Sequence, residues 1–177
     1  MSLYIFETER LGFRLWQKKD TTPFINLGQD VAGMIFFSRL YTPVESYAKM
    51  CAHIVFLEDH GYGFWAVDYK ENGEFIGTIG FNHPSIEAFF TPCVQIGWCL
   101  KKEYWGQGLA TEGAKAALAY IEKHSDLSEI YAYTIKQNQP SINVMQKIHM
   151  EFVEEYVPKY GDETVKYVAF RKLLNKK

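Results

Sequence analysis

The sequence predicts an α/β protein built on a mixed β-sheet with helices on both faces. Three observations carry that prediction. The first is Gln95-Ile96-Gly97-Trp98-Cys99-Leu100, an apolar run suited to a buried strand, followed by Gly106-Gln107-Gly108 and then by apolar residues at Ala110, Ala114, Ala117, Leu118 and Ile121. That spacing is helical, and a further strand at Glu129 to Thr134 makes the unit a right-handed crossover between parallel strands. The second is Glu71-Asn72-Gly73-Glu74 between apolar runs at 63–69 and 75–81, where Asn-Gly is the strongest short hairpin signal. The third is a closing antiparallel pair, Phe152 to Val157 and Thr164 to Phe170, turning around Gly161.

Taken in order, Leu11 to Trp16 alternates apolar and polar residues and suits an edge strand. Residues 18–39 give a mixed signal, with Phe24, Ile25, Leu27 and later Met34 to Phe37 suggesting one or two short helices broken near Gly28. Thr42-Pro43-Val44-Glu45 is sharper: a capping threonine, a proline for the first turn and a glutamate to close a capping box. Tyr47, Met50, Cys51, Ile54 and Val55 form the stripe of that helix, and Gly61 ends it. Asn82 to Ser85 and Thr91-Pro92 bound a loop before the central strand. Asn138 caps a last short helix, Ser141 to Ile148. No repeat or linker divides residues 1–177, so one domain is expected, long enough to bury a core.

Composition narrows the function classes. Hydrophobic residues at 47% exclude general disorder. A net charge of −2 argues against a broad nucleic-acid surface. Cys51, Cys93 and Cys99 lack metal-ligand spacing and read as buried thiols in a reducing compartment, with no metal expected. No apolar run approaches a membrane span and no signal-peptide pattern opens the chain, so a soluble cytoplasmic protein with no membrane partner is expected.

The glycine junction carries the chemistry. Two glycines leave no side chain between the backbone amides and a guest, and the first amides of the following helix lack internal partners at the positive end of its dipole. A phosphate is the expected guest. Gly-Gln-Gly alone is equally compatible with an ordinary turn. A nucleoside-triphosphate loop is set aside because Leu109-Ala110 follows Gly108 where Lys-Ser or Lys-Thr is needed. A dinucleotide fingerprint fails on Thr111 in place of a small residue and on the position of Glu129.

Tyr104-Trp105-Gly106-Gln107-Gly108-Leu109-Ala110-Thr111-Glu112 resembles the acyl-CoA pyrophosphate loop of the GNAT acetyltransferase superfamily, in the form common to its RimJ/RimL-like branch. Gly63 to Val67 is similar to the branch's second strand, and Asn138-Gln139-Pro140-Ser141 with Val144 to Lys147 to its fourth-helix signature. The resemblance implies a GNAT-like fold whose central parallel strands splay at a bulge near Gly97, whereas the residue by itself is also compatible with a packing concession to a neighbouring aromatic. The resemblance also implies acetyl-CoA as co-substrate and direct transfer to a primary amine in a ternary complex. By resemblance the backbones of Trp98, Cys99 and Leu100 line the pantetheine arm, Asn138 binds it too, and Gly106, Gln107, Gly108, Leu109, Ala110 and Thr111 hold the pyrophosphate. Members often place a Glu base on the central strand, but Gln95 stands there, and His83 and Glu87 are the replacements to test. Ser141 matches a serine acid, with a hydroxyl that bonds backbone in the first helical turn as an equal alternative. His149 stands where the pattern often has glycine, which puts that helix end in question. The acceptor is open between a protein N-terminus and a small amine. A homodimer is open as well, since members often pair but no exposed stripe establishes one. Two other functions remain at this stage: a non-catalytic acyl-CoA sensor, which Gln95 keeps in play, and an unrelated α/β phosphate binder.

Overall fold

The computed structural model describes residues 3–37, 39–159, 162 and 164–174. The strands are β1 (Phe6–Glu7), β2 (Leu11–Arg14), β3 (Trp65–Tyr69), β4 (Glu74–Asn82), β5 (Gln95–Leu100), β6 (Glu129–Ile135), β7 (Glu151–Tyr156) and β8 (Tyr167–Leu173). The helices are α1 (Thr21–Gln29), α2 (Pro43–His60), α3 (Leu109–His124) and α4 (Gln139–Lys147). Strand order is β1-β2-β3-β4-β5-β6-β8-β7, and among these neighbours only β5 and β6 run parallel. The mixed sheet, the 71–74 hairpin, the crossover through α3 and the closing antiparallel pair are all present. Gly161 lies outside the described residues.

The main core lies between the sheet and α3, whose Leu109, Ala114, Ala117, Leu118 and Ile121 pack with Phe13, Trp65, Ile79 and Ile96. Each large buried side chain there contributes roughly 1.5–3 kcal/mol. A smaller cluster on the opposite face joins Phe24 and Leu27 of α1, Met50 of α2 and Phe75 of β4, with Cys99 against it. Side chains alternate across a strand, so Gln95, Gly97 and Cys99 face α1 and α2 while Ile96 and Leu100 face α3.

Local signals hold best where the chemistry is local. Thr42 and Glu45 form both arms of the capping box, and Gly61 ends α2 with φ 72°. His149 takes the left-handed turn without a glycine, at φ 59°, and its amide and that of Met150 bond back to α4. A cost of about 1–2 kcal/mol for that conformation is offset by the satisfied carbonyls.

Three expectations need correction. Leu11–Arg14 is not an edge strand, because β1 flanks it and all four of its residues are buried. The alternation misled because Arg14, polar in sequence, is neutralised inside the protein by Asp20 and Asp68, with guanidinium–carboxylate contacts of 2.7 to 2.8 Å. Among the described residues of 18–39, a 3-10 turn at Lys18–Asp20 leads into one α-helix that passes Gly28 and ends at Gln29, and residues 31–36 turn instead of forming a second α-helix. The buried stripe of α2 is also rotated: Tyr47 and Val55 are 52% and 53% exposed, whereas Ser46 and His53 face inward.

His53 sits between the rings of Trp16, Phe24 and Phe64. Burial, aided by the nearby charge of Lys49, pushes its pKa down to about 3. An unfolded histidine titrates near about 6.5, so between those values the unfolded chain binds a proton that the folded chain excludes. Stability present above pH 6.5 therefore declines as pH falls, by about 2 kcal/mol at pH 5. Denaturant titrations at pH 7 and pH 5 should show that difference, and His53→Phe should remove most of it. Equal pH dependence in the two proteins would contradict this assignment.

Candidate active site

The site lies where β5 and β6 separate. Their register contains one pair, Gln95↔Tyr131, supported by the Tyr131 amide donating to the Val94 carbonyl at 3.0 Å. Beyond it, Ile96–Leu100 and Ala132–Ile135 diverge without pairing, which leaves a strand edge of free backbone groups. The predicted splay is present, but the predicted bulge at Gly97 is not. From Gly77↔Leu100 to Asn82↔Gln95 the register with β4 runs without a shift. The alternative reading of Gly97, a concession to a neighbouring aromatic, holds instead: an added Cβ would stand 3.0 Å from Cζ of the Phe64 ring.

The gap opens towards the start of α3. Gly106 and Gly108 adopt left-handed φ values of 75° and 78°, which glycine takes without strain. A Cβ at Gly106 would meet nothing within 4 Å, so this face of the loop is open. No side chain caps α3, and its first internal bond is Glu112 N–H to the Gly108 carbonyl at 3.0 Å. The amides of Leu109, Ala110 and Thr111 are therefore unspent among the described residues, at the positive end of a 16-residue helix. That arrangement fits a diphosphate without a lysine or arginine in the loop.

Two braces hold the loop. The Trp105 indole donates to the Leu100 carbonyl at 2.8 Å, tying the turn to the end of β5. Arg10, beside β2, donates to the Gln107 carbonyl at 3.0 Å and pairs with Glu112 at 2.6 Å. Thr8 Oγ1 and the Arg10 amide also donate to Glu112, at 2.5 and 3.1 Å. Burial raises the Glu112 pKa, but these hydrogen bonds outweigh it and hold the carboxyl below its usual range. The ionised Glu112 is thus pulled sideways, and it leaves the helix start open to an outside anion.

Asn138 both caps and bridges. Its Oδ1 accepts from the Ser141 amide at 3.2 Å, and its Nδ2 donates to Thr134 at 2.8 Å. Ser141 thereby stands in the first turn of α4, beside the C-terminal end of β6, with its hydroxyl spared from the cap. His83 lies past the end of β4, exposed, with Nδ1 3.0 Å from the Cys93 carbonyl and its ring against Phe56 and His60 of α2. His83 follows β4 and Ser141 lies beyond β6, with β5 between those two strands, and among the described residues no hydrogen bond joins them. Glu87 is engaged by Lys159.

Gln95 is held in place. It donates to Asn82 Oδ1 at 2.6 Å and hydrogen-bonds with Tyr133, whose hydroxyl is pushed up to about 12, chiefly by burial. Burial likewise pushes the Cys93 and Cys99 thiols up to about 11. Both remain protonated at neutral pH and make poor nucleophiles, which disfavours an acyl-cysteine intermediate. Among the described residues no cluster of three or more His, Cys, Asp or Glu side chains could hold a metal, and no helix is long and apolar enough to cross a membrane.

Sequence reasoning missed Thr8, Arg10, Asn82 and Tyr133. Each acts on the site across long separations, and no local spacing marks it.

Comparison with known proteins agrees with this geometry. Residues 10–151 match the family model for the acetyltransferase (GNAT) domain. An uncharacterized N-acetyltransferase of Bacillus subtilis (strain 168), YnaD, is 31% identical over 137 residues, covering 70% of this chain and 78% of that one. An acetyltransferase from Agrobacterium tumefaciens str. C58 superposes with a TM-score of 0.81 at 24% identity, covering 97% and 95% of the two chains. RimL, the ribosomal L7/L12 α-N-protein acetyltransferase in complex with coenzyme A, has a TM-score of 0.76 at 16% identity, covering 98% and 99%. The chain belongs to the GNAT acetyltransferases and is an acetyl-CoA-dependent acyltransferase.

Proposed function

We propose that residues 1–177 act as one domain that transfers an acetyl group from acetyl-CoA to a primary amine, at a protein N-terminus or on a small molecule, by direct attack in a ternary complex. The observation that carries this reading is the unpaired gap past Gln95, opening onto the uncapped start of α3. Acetyl-CoA would supply an activated thioester there, and coenzyme A would leave as the thiol. Gly106, Gln107, Gly108, Leu109, Ala110 and Thr111 offer backbone amides to its diphosphate. Trp98, Cys99 and Leu100 offer the free edge of β5 to the amides of its arm, with Asn138 on the facing side. A backbone N–H of that edge is suited to stabilise a developing oxyanion.

The amine must arrive neutral, since a lysine-like amine has a pKa near about 10.4. Gln95 cannot take its proton. His83 is the proposed proton acceptor, reached across the acceptor face through water, and the spared Ser141 hydroxyl is the proposed proton donor to the departing thiolate. Support for a protein N-terminus comes from RimL, whose name gives that acceptor. Release of free thiol from acetyl-CoA across a panel of primary amines tests the reading. If His83 is the base, His83→Ala should lower turnover roughly a hundredfold and change the pH profile near neutrality. An unaltered profile excludes His83, and coenzyme A binding without thiol release for any amine contradicts the transferase reading.

A further inference from the structure

Glu112 is the acidic residue in the first turn of α3. A carboxylate there ordinarily settles against the positive end of its own helix, where it opposes any outside anion. Here its side-chain hydrogen bonds among the described residues all come from the turn between β1 and β2. The Thr8 hydroxyl donates at 2.5 Å, the Arg10 amide at 3.1 Å and Arg10 Nε at 2.8 Å, while Arg10 Nη2 adds an ion pair at 2.6 Å. The third guanidinium nitrogen, Nη1, donates to the Gln107 carbonyl at 3.0 Å. The bond from Gln107 to Gly108 is a trans peptide, in which C=O and N–H point in opposite directions. Pinning the Gln107 carbonyl towards Arg10 therefore aims the Gly108 amide away from Arg10. Among the described residues that amide has no hydrogen-bond partner.

One planar group thus performs two tasks. It neutralises the carboxylate nearest the start of α3, and it fixes the direction of an unspent N–H in the loop. We infer that Arg10 is a positioning residue for the coenzyme A diphosphate, acting through Glu112 and through the Gln107–Gly108 peptide. This inference rests on the assignment of the diphosphate to that loop. Arg10 lies away from the amine and the acetyl group, so its effect falls on coenzyme binding and spares the chemical step. Without the guanidinium, Glu112 stays ionised on Thr8 and the residue-10 amide, and its uncompensated charge repels the diphosphate. Lysine is an incomplete substitute, because a point charge lacks the rigid fork that reaches carboxylate and carbonyl together.

Arg10→Gln, Arg10→Lys and the double variant Arg10→Gln, Glu112→Gln test the inference in the full-length protein. Arg10 is 37% exposed, so these changes leave the core intact, and a melting curve verifies folding. Calorimetric titration gives the Kd for coenzyme A, and thiol release gives KM for acetyl-CoA and kcat. Arg10→Gln should raise Kd and KM roughly tenfold, with kcat at saturating acetyl-CoA within about twofold of wild type. The added Glu112→Gln should recover at least about threefold in affinity, because its amide oxygen still accepts from Thr8 and carries no charge. Arg10→Lys should fall between wild type and Arg10→Gln. A brace that only tied the turn to α3 would behave oppositely, since the double variant removes a further partner and would bind no better. Three results overturn the inference alone: Kd for Arg10→Gln within about twofold of wild type, a double variant no tighter than Arg10→Gln, or a loss confined to kcat. Wild-type protein that fails to bind coenzyme A would overturn it together with the function on which it rests.

Discussion

Gly108→Trp should weaken coenzyme A binding by roughly a hundredfold or more, a loss of about 2.7 kcal/mol. Two effects combine. Position 108 has φ 78°, which a tryptophan adopts only at a cost of about 1–2 kcal/mol. The indole would also stand over the open amides of Leu109, Ala110 and Thr111, where the diphosphate needs bare backbone. The nearest side-chain atom to a Cβ at 108 is Arg10 Nη2, at 3.8 Å, so the fold has room for the substitution. Calorimetric titration of coenzyme A into the folded variant provides the measurement. Wild-type affinity there would contradict the assignment of the loop.

Arg14→Met should cause the largest loss of stability. Arg14 is 1% exposed and donates to both Asp20 and Asp68, which are also 1% exposed. Although burial opposes its charge, the hydrogen bonds that Arg14 donates to these two carboxylates raise its pKa above its ordinary value. Removing the guanidinium leaves two buried carboxylates facing each other, at a cost of about 3–5 kcal/mol. For a chain of this size that corresponds to a fall in Tm of roughly 6–20 °C. The triple variant Arg14→Met, Asp20→Leu, Asp68→Leu should lose less than Arg14→Met alone, because it leaves no buried charge uncompensated. A Tm for Arg14→Met within 2 °C of wild type would show that water reaches the cluster.

The same triad shows why part of the fold was hidden in the sequence. Read locally, Arg14 marks a polar, solvent-facing position, and it becomes a core residue only where Asp68, 54 residues away, joins Asp20 around it. Where both partners of an interaction lie within one turn, the sequence was legible. Thr42, Glu45 and Gly61 define α2 to the residue, and the apolar spacing after Gly108 places the start of α3 to within one. The phosphate loop belongs to this class because its function is a backbone conformation that two glycines permit. Its support does not belong there, since Arg10 and Glu112 meet across 102 residues. Gly97 was legible only as a choice between two readings. A glycine in a strand signals either a bulge or a crowding neighbour, and only the position of the Phe64 ring tells which. Gln95 was legible as an unusual residue at the reactive position, but not its fixation by Asn82 and Tyr133. The face of α2 was misjudged because His53 is as buried as an apolar residue when held neutral among aromatic rings.

The central claim is that coenzyme A enters between β5 and β6 and rests its diphosphate on the first amides of α3. A crystal structure of the protein grown with coenzyme A tests it most directly. The account predicts the diphosphate within hydrogen-bond distance of the amides in the span from Gly106 to Thr111, and the arm paired along Trp98 to Leu100. A bound nucleotide elsewhere, with that helix start still facing solvent, would contradict it.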